Sequence, residues 1–165
     1  MWRRRFDLAV FDVDGTLSPP GLPIRPEVSS KLREIERAGA RVVLASGKTS
    51  DYLAGLARGI GLESPLVIGE GGCVLFDPSS LWKERLAERS EELEILREEV
   101  AAEFGESVWF QPNEVAVTVF PRRPGVMREL LEFISGAAGP GLRVIPHGDA
   151  VDVLPAGIDK GRALR

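Results

Sequence analysis

The sequence predicts an α/β protein in which a parallel-sheet core carries an inserted α+β block. Three short apolar runs, at residues 6–11, 41–45 and 66–68, are typical of strands buried on both faces of a parallel sheet. Helical patterns separate these runs, and a β-α-β-α-β order requires right-handed crossovers between parallel strands. After Asp77-Pro78 the pattern changes to an α-β-β-α-β-β order, which indicates an antiparallel sheet with helices on one face.

Two helices are expected between the three apolar runs. The first covers residues 26–38, because apolar side chains recur there on one face and Gly39 supplies a stop. The second is expected to begin at a cap formed by Ser50 or Asp51 and to run to about Gly59.

The α+β block is entered through a turn at residues 69–72 and a short strand at residues 73–76. Within the block, Pro112-Asn113 is expected to form a tight turn between the first two strands. The helices and strands of the block are expected, in chain order, at residues 81–104, 107–111, 114–120, 124–135, 142–146 and 150–154. The patterns divide the chain into residues 1–77, an inserted block of residues 78–154 and a return segment of residues 155–165.

The composition is that of an ordinary globular chain. With 44% hydrophobic and 28% charged residues, the 165 residues suit one domain or a small core with an inserted module. No apolar run approaches the roughly 18 residues that cross a bilayer, so we expect no membrane association. A formal net charge of −4 argues against nucleic acid as a partner, and Cys73, as the only cysteine, allows no internal disulfide.

The first residues resemble the charged start of a signal peptide because Arg3, Arg4 and Arg5 follow one another. Acidic residues, beginning with Asp7, interrupt the apolar stretch behind them, and no small-residue cleavage site follows. We therefore expect a mature protein in the cytoplasm.

Two acidic residues and a glycine directly follow the first apolar run. Asp12 and Asp14 stand where a buried parallel strand ends, which is where open α/β sheets place their active sites. Carboxylates one residue apart can reach the same small volume, so that one can attack phosphorus while the other transfers protons. Gly15 permits a close approach of a substrate to the backbone, and Thr16 can offer its hydroxyl to Asp14 or to the main chain.

This segment has two other interpretations. An Asx-turn could simply end the strand. A calcium loop is disfavoured because no helix flanks the segment and its twelfth position, counted from Asp12, is Pro23 instead of glutamate. The position after a buried strand, with threonine following, favours a catalytic role.

The motif at residues 11–17, Phe-Asp-Val-Asp-Gly-Thr-Leu, resembles the first signature of the haloacid dehalogenase-like phosphatases. The second signature of that family, a strand ending in Thr or Ser before Gly, is resembled by Leu44-Ala45-Ser46-Gly47. Lys48 stands where many members have Arg or Asn. A nucleotide-binding P-loop is rejected here, because the glycine it needs five residues before Gly47 is Val42.

The third signature of the family is a lysine at a helix start. Residues 154–164, with Lys160, closely resemble its version in the Cof-type branch, and Glu70-Gly71-Gly72 resembles the acidic motif that precedes the cap of this branch. The α-β-β-α-β-β block resembles the compact cap of archaeal phosphoglycolate phosphatase-like members. The resemblance covers essentially the whole chain. It implies a Rossmann-like core, incomplete at its C-terminus, with an inserted α+β cap and with Lys160 in the return segment.

The resemblance also implies a magnesium-dependent phosphatase mechanism. Asp12 would be the nucleophile and Asp14 the general acid and base, while an Asp12 oxygen and the Asp14 main-chain carbonyl would hold Mg²⁺. The phosphate would be bound by five residues, which are Ser46, Gly47, Lys160, Gly15 and Thr16.

The family's fourth signature, Gly-Asp-x-x-Asn-Asp, supplies further carboxylates for the metal and does not occur among these residues. We therefore expect either a truncated homologue or a site completed by a second polypeptide, which could be a second copy in a homodimer. Metal binding is expected to be weakened by more than the roughly 10–100-fold typical of outer-shell losses.

The expected substrate is a small phosphate ester. Family analogy puts 2-phosphoglycolate first, with sugar phosphates or phosphoglycerate derivatives next, and Arg122, Arg123 or His147 could contact a substrate carboxylate. Two other functions stay open. One is a catalytically silent binding protein that keeps the phosphate cradle, and the other is phosphotransfer between sugar positions.

Overall fold

The structure, a computed structural model, describes residues 6–165 in two compact units. Within the described residues, the core unit comprises residues 6–86 together with Asp159–Arg165. The inserted unit is Ala87–Ile158. The arginine-rich start, which we interpreted as part of the mature protein, lies outside the described residues.

The core unit is built on a five-stranded sheet with the order β1-β2-β3-β4-β5. Its helices and strands are β1 (Leu8–Phe11), α1 (Pro26–Arg37), β2 (Arg41–Ala45), α2 (Ser50–Ile60), β3 (Leu66–Gly69), β4 (Val74–Asp77) and β5 (Trp82–Arg85). Strands β1, β2 and β3 are parallel, as predicted, and β4 and β5 are added in antiparallel fashion. The α/β fold class is confirmed.

One hydrophobic cluster fixes α1 and α2 to the sheet. Leu32 of α1 and Leu53 of α2 are buried in it against Val42, Leu44 and Val67 of the strands. Burying a leucine side chain of this kind stabilises the fold by about 1.5–3 kcal/mol. The cluster therefore fixes the strand ends that carry the acidic motif.

The prediction that β1 is buried on both faces is wrong for the described residues. Leu8 and Val10 are 46% and 41% exposed, whereas Val43, which pairs with Val10, is completely buried. The reason is position: within the described chain β1 is an edge strand that pairs only with β2.

The prediction of one helix over residues 81–104 is also wrong. Strand β5 occupies the start of that segment, and helix α3 begins only at Glu91, where the Ser90 hydroxyl accepts a hydrogen bond from the Leu93 amide at 3.3 Å. The charged run has high helix propensity, but the ladder with β4 provides backbone partners that override it. Because β5 belongs to the core sheet, the first unit ends at Leu86 and not at residue 77.

The cap of α2 also differs from the prediction of Ser50 or Asp51. Thr49 is the capping residue, and its hydroxyl accepts a hydrogen bond from the Tyr52 amide at 3.2 Å. A capping residue needs extended backbone, which Thr49 has, whereas Ser50 is already the first residue of the helix. The helix ends at Gly61, whose φ of 85° is favoured by glycine.

The inserted unit has the predicted α-β-β-α-β-β order. It consists of α3 (Glu91–Phe104), β6 (Val108–Phe110), β7 (Val117–Pro121), α4 (Met127–Ala137), β8 (Leu142–Pro146) and β9 (Val151–Pro155). The strands form an antiparallel sheet with the order β6-β7-β9-β8. Both helices pack on it through one cluster that includes Leu93, Leu130, Val119 and Val153.

The tight turn predicted at Pro112-Asn113 is replaced by a longer connection. The Asn113 side chain is buried there. It donates to the Thr118 hydroxyl at 2.9 Å and accepts from the side-chain amide of Gln111 at 2.6 Å. These hydrogen bonds pair the polar atoms of the buried Asn113 side chain with residues of the same connection.

The chain leaves the inserted unit later than predicted. The Ala156 amide donates to the Gly141 carbonyl at 2.8 Å, and the Arg143 guanidinium donates to the Ile158 carbonyl at 2.6 Å. These bonds keep residues 156–158 with the inserted unit, so the return begins at Asp159 and not at residue 155.

Among residues 6–165 no helix combines the length and the apolar character that a bilayer crossing requires. Cys73 is buried in the core unit.

Asp77 ties the end of β4 to the start of β2. Its carboxylate accepts a hydrogen bond from the Arg41 guanidinium at 2.7 Å. Burial raises the pKa of Asp77. The hydrogen bonds from Arg41 and from the amides of Ser79 and Ser80 lower this pKa by more than burial raises it, so it lies below its ordinary value. A lowered pKa stabilises the fold above the unfolded-state value of about 3.9, and this contribution is lost as the pH falls through the lowered pKa.

Asp77→Asn is expected to reduce the free energy of unfolding at pH 7 by about 1 kcal/mol, because solvent screens this partly exposed ion pair. Urea denaturation at pH 7 and pH 3 would measure the change, and the difference from wild type should shrink at pH 3, because this pH lies below the unfolded-state pKa of about 3.9 and protonation of the unfolded carboxylate reduces the contribution. Asp149→Asn, at an exposed hairpin residue, is the matched control. A difference of equal size at both pH values would contradict the assignment.

Candidate functional site

The candidate site forms where two neighbouring parallel strands end. Asp12 follows β1 directly and Ser46 follows β2 directly. Phe11 pairs with Leu44 in the ladder, so Asp12 continues alongside the last residue of β2, and adjacent strands lie about 4.8 Å apart. The register therefore brings the first and second sequence motifs to one edge of the sheet.

A tight loop holds the acidic motif. The Val13 carbonyl accepts hydrogen bonds from the amides of Thr16, Leu17 and Ser18 at 3.2, 2.9 and 3.2 Å. The Gly15 amide donates to the Ser18 carbonyl at 2.7 Å, and Gly15 has a φ of 79°. Glycine is needed there for its backbone conformation and not for space, since a Cβ would meet nothing within 4 Å.

The Asp12 carboxylate is held at both oxygens. Oδ1 accepts a hydrogen bond from the Val13 amide at 2.7 Å, and Oδ2 accepts one from Lys160 Nζ at 2.5 Å. The side chains of Asp12 and Lys160 remain 42% and 37% exposed. A carboxylate that is fixed and yet open to solvent can meet a substrate, and the ammonium beside it reduces its repulsion of an anionic phosphate.

Lys160 reaches Asp12 because the return segment packs on the core sheet. Ala163 packs against a small cluster formed by Val43, Ala45 and Ile68. The segment contains the 3-10 turn Arg162–Leu164 two residues after Lys160, where the family resemblance implies a lysine at a helix start. The Arg162 amide donates to the Asp159 carboxylate at 2.7 Å at the beginning of this turn.

Gly72 permits the approach of the return segment. A Cβ at this position would lie 2.4 Å from the Asp159 carbonyl carbon and oxygen and 2.8 Å from the Lys160 nitrogen. Its φ of 117° also disfavours any side chain. Gly72, which allows Lys160 to take its position, therefore lies far from Lys160 in the sequence.

The segment after β2 is fixed by backbone hydrogen bonds to the end of β3. The Ser46 amide donates to the Ile68 carbonyl at 3.0 Å, and the Gly71 amide donates to the Ser46 carbonyl at 3.0 Å. Ser46 is 3% exposed, and its hydroxyl accepts from the Lys48 amide at 3.3 Å. This hydroxyl is buried at the strand end, beside the motif that carries Asp12.

Lys48 belongs to the same group of residues, although no role was predicted for it from the sequence. Its Nζ lies 3.5 Å from Asp14 Oδ2, and the two side chains are 30% and 35% exposed. Its position two residues after Ser46 was the signal that could have identified it. The two acidic residues of the first motif are thus each paired with a lysine.

For the other residues predicted from the sequence to bind the substrate, no contact with Asp12 or Asp14 is described. The Thr16 side chain is exposed and forms no hydrogen bond among the described residues, so the expected bond to Asp14 or to the backbone is not formed. Gly47 lies half-buried between Ser46 and Lys48. The remaining three lie in the inserted unit and bond there: Arg122 to the Val108 carbonyl, Arg123 to the Ser107 hydroxyl and His147 to Asp152.

The donors at the strand ends suit a hard cation. Among residues 6–165 no group of three or more His, Cys, Asp or Glu side chains could hold a metal ion together. Mg²⁺, however, is usually bound through one or two carboxylates, with waters and substrate phosphates supplying the remaining oxygens. The Asp12 carboxylate and the Asp14 main-chain carbonyl fit this pattern.

Comparison with known sequences points to one family. The model of the haloacid dehalogenase-like hydrolases matches residues 9–120. A phosphoglycolate phosphatase of Methanopyrus kandleri is 27% identical over 161 residues, covering 95% of this chain and 68% of the relative. One of Pyrobaculum neutrophilum is 31% identical over 158 residues, covering 94% of this chain and 66% of the relative. The chain thus spans about two thirds of the length of these relatives.

Solved structures agree on the fold. A Thermoplasma acidophilum protein aligns over 96% of this chain and 68% of its own, with a TM-score of 0.74 and 21% identity. A haloacid dehalogenase-like hydrolase of Bacteroides thetaiotaomicron aligns over 97% of this chain and 75% of its own, with a TM-score of 0.78 and 16% identity.

Proposed function

Because the chain belongs to the haloacid dehalogenase-like hydrolase family, we propose that it hydrolyses small phosphate monoesters through an aspartyl-phosphate intermediate on Asp12. The observation that carries the proposal is the contact of 2.5 Å between Lys160 Nζ and Asp12 Oδ2, across 148 residues of sequence. A nucleophilic carboxylate beside a fixed ammonium is suited to attack on an anionic phosphoryl group.

The proposed reaction has two displacements at phosphorus. In the first, an Asp12 oxygen bonds to phosphorus, the bond from phosphorus to the ester oxygen breaks, and Asp14 gives its proton to the leaving alcohol. In the second, water attacks phosphorus and gives a proton to Asp14, and the bond to Asp12 breaks to release inorganic phosphate. Asp12 and Asp14 end in their starting states.

The neighbouring groups stabilise charge during both displacements. Lys160, Ser46 and the Gly47 amide would bind the phosphoryl oxygens, which carry the charge that develops in the transition state. Mg²⁺, when it is bound by Asp12 and the Asp14 carbonyl, would offset the negative charge shared by the carboxylates and the phosphate. Gly15 and Thr16 would line the phosphate at the turn of the loop.

The substrate we propose is 2-phosphoglycolate. The support is the shared name of the curated relatives, together with alignments that cover nearly all of this chain.

A direct assay tests the proposal. The purified chain is incubated with Mg²⁺ and 2-phosphoglycolate, ethyl phosphate or a hexose phosphate, and released phosphate and isomerised sugar are both measured. Release from 2-phosphoglycolate at the highest kcat/KM is expected. Isomerised sugar phosphate would indicate phosphotransfer instead, and binding of phosphate without any turnover would indicate a silent binding protein.

Magnesium is expected to bind weakly without phosphate, because only two protein oxygens are proposed as its ligands. Calorimetric titration should show no tight site for Mg²⁺ alone and clear binding once inorganic phosphate is present, and chelation should abolish turnover that added Mg²⁺ restores. Asp152→Asn, at an acidic residue of the inserted unit, should leave the titration unchanged. Tight stoichiometric binding of Mg²⁺ alone would contradict this expectation.

A further inference from the structure

We infer that Lys48 is a positioning residue that holds Asp14 for proton transfer, an assignment that rests on the proposed function. Among the described residues, Lys48 is the one ion-pair partner of the Asp14 carboxylate, at 3.5 Å. Asp12, by contrast, is held by a backbone amide as well as by Lys160. Among residues 6–165, a single cation therefore orients the Asp14 side chain.

The backbone of Lys48 is itself firmly placed. Its carbonyl accepts a hydrogen bond from the Glu70 amide at 2.8 Å, and its amide donates to the Ser46 hydroxyl at 3.3 Å. Gly69 lets this segment pack closely, since a Cβ there would lie 2.6 Å from the Ser50 nitrogen and 3.2 Å from the Lys48 carbonyl oxygen. A lysine anchored at the end of β2 can therefore fix a carboxylate at the end of β1.

The ion pair is unsuited to a purely structural role. Both side chains are about one third exposed, at 30% and 35%, and ion pairs of this kind contribute little to stability. A pair that adds little to the fold and lies beside the nucleophile is better explained by the reaction. The arrangement gives each carboxylate its own lysine, with Lys160 on the nucleophile and Lys48 on the acid and base.

The leaving group separates a role through Asp14 from a role in binding phosphate. An alkyl phosphate such as 2-phosphoglycolate needs a proton on its leaving oxygen, whereas 4-nitrophenyl phosphate releases a stabilised anion and needs hardly any help. The kcat/KM of each ester reports the steps up to the first irreversible one, which is formation of the aspartyl-phosphate. Loss of a positioned general acid must therefore appear in the alkyl ester alone.

The experiment compares both esters in wild type, Lys48→Met, Lys48→Arg and the control Lys83→Met. Lys83 also pairs with an aspartate of the core unit, Asp51, at 3.0 Å and is 29% exposed, but it lies on β5, at the edge of the described sheet opposite β1. For Lys48→Met we expect kcat/KM to fall by about 10–100-fold more with 2-phosphoglycolate than with the aryl ester. The same fall is expected with ethyl phosphate, an alkyl ester without a carboxylate, and a fall confined to 2-phosphoglycolate would mean that Lys48 binds the substrate carboxylate instead. Lys48→Arg should restore most of the loss, and Lys83→Met should resemble wild type.

Each other outcome overturns the assignment. Equal losses with both esters would mean that Lys48 acts on the phosphoryl group and not through Asp14. Unchanged kinetics would mean that it has no role in the reaction. If wild type turns over neither ester, the proposed function fails together with the inference, whereas an active wild type with an unchanged ratio in Lys48→Met removes the inference alone.

Discussion

Asp12→Asn is expected to lower phosphate release by roughly 10⁴-fold or more, the scale on which loss of a covalent nucleophile acts in other hydrolases. An amide oxygen does not attack phosphorus, and the variant also loses the charge that faces Lys160. The side chain keeps its size, and its oxygen can still accept the Val13 amide, which donates at 2.7 Å in the wild type. The fold should therefore persist while the chemistry stops.

The control is Asp51→Asn, which removes an equally charged residue of the core unit with a side chain that is 76% exposed and pairs with Lys83. It should turn over at the wild-type rate. A second measurement follows the intermediate directly. Wild type quenched in acid during turnover should carry a phosphate label that hydroxylamine removes, and Asp12→Asn should carry none. An asparagine variant within tenfold of wild type would show that Asp12 is not the nucleophile.

Most of the fold could be predicted because its signals are local. The buried runs at β2 and β3, the glycine that follows α1, and the α-β-β-α-β-β order are all visible within short windows of sequence. The family resemblance, carried by motifs containing Asp12, Ser46 and Lys160, is confirmed by the match to residues 9–120. The proposed catalytic roles of these residues remain predictions.

The errors about β5 and β1 concern features that depend on distant partners. Residues 82–85 were predicted as helix because lysine, glutamate and arginine favour helices. They form a strand because their backbone pairs with the neighbouring strand β4. Burial of β1 could not be judged locally either, because the same apolar sequence suits a central strand or an edge strand. Its exposed Leu8 and Val10 reflect the number of neighbours and not the sequence of the strand.

The candidate site shows the same division. Motif recognition identified the acidic residues and the return lysine, but the pairing of Lys48 with Asp14 follows from the register of two strand ends. Gly72 is a stronger example, since nothing in Gly71-Gly72 indicates that the second glycine faces the backbone of Asp159. A contact between segments so far apart in the chain has no signature in either segment.

Gly72→Ala is expected to lower kcat/KM by about 10²–10³-fold, the usual effect of losing one group that stabilises transition-state charge. The added Cβ would lie 2.4 Å from the Asp159 carbonyl group, which is backbone and cannot yield as a flexible side chain would. The return segment must therefore shift, and Lys160 Nζ leaves its position 2.5 Å from Asp12. Gly55→Ala is the control, since nothing lies within 4 Å of its Cβ and alanine favours the α2 helix by about 1 kcal/mol.

Strain at a φ of 117° could also weaken the fold, so activity alone does not identify the cause. A double-mutant cycle with Lys160→Met separates the two effects, because residues that act through one contact are not additive. If Gly72 acts by placing Lys160, adding Gly72→Ala to Lys160→Met should change kcat/KM by less than about threefold, well below its effect in wild type. Full additivity of the two losses would mean that Gly72 acts on the fold and not on the lysine, and the link between the third motif and the nucleophile would then have to lie elsewhere in the return segment.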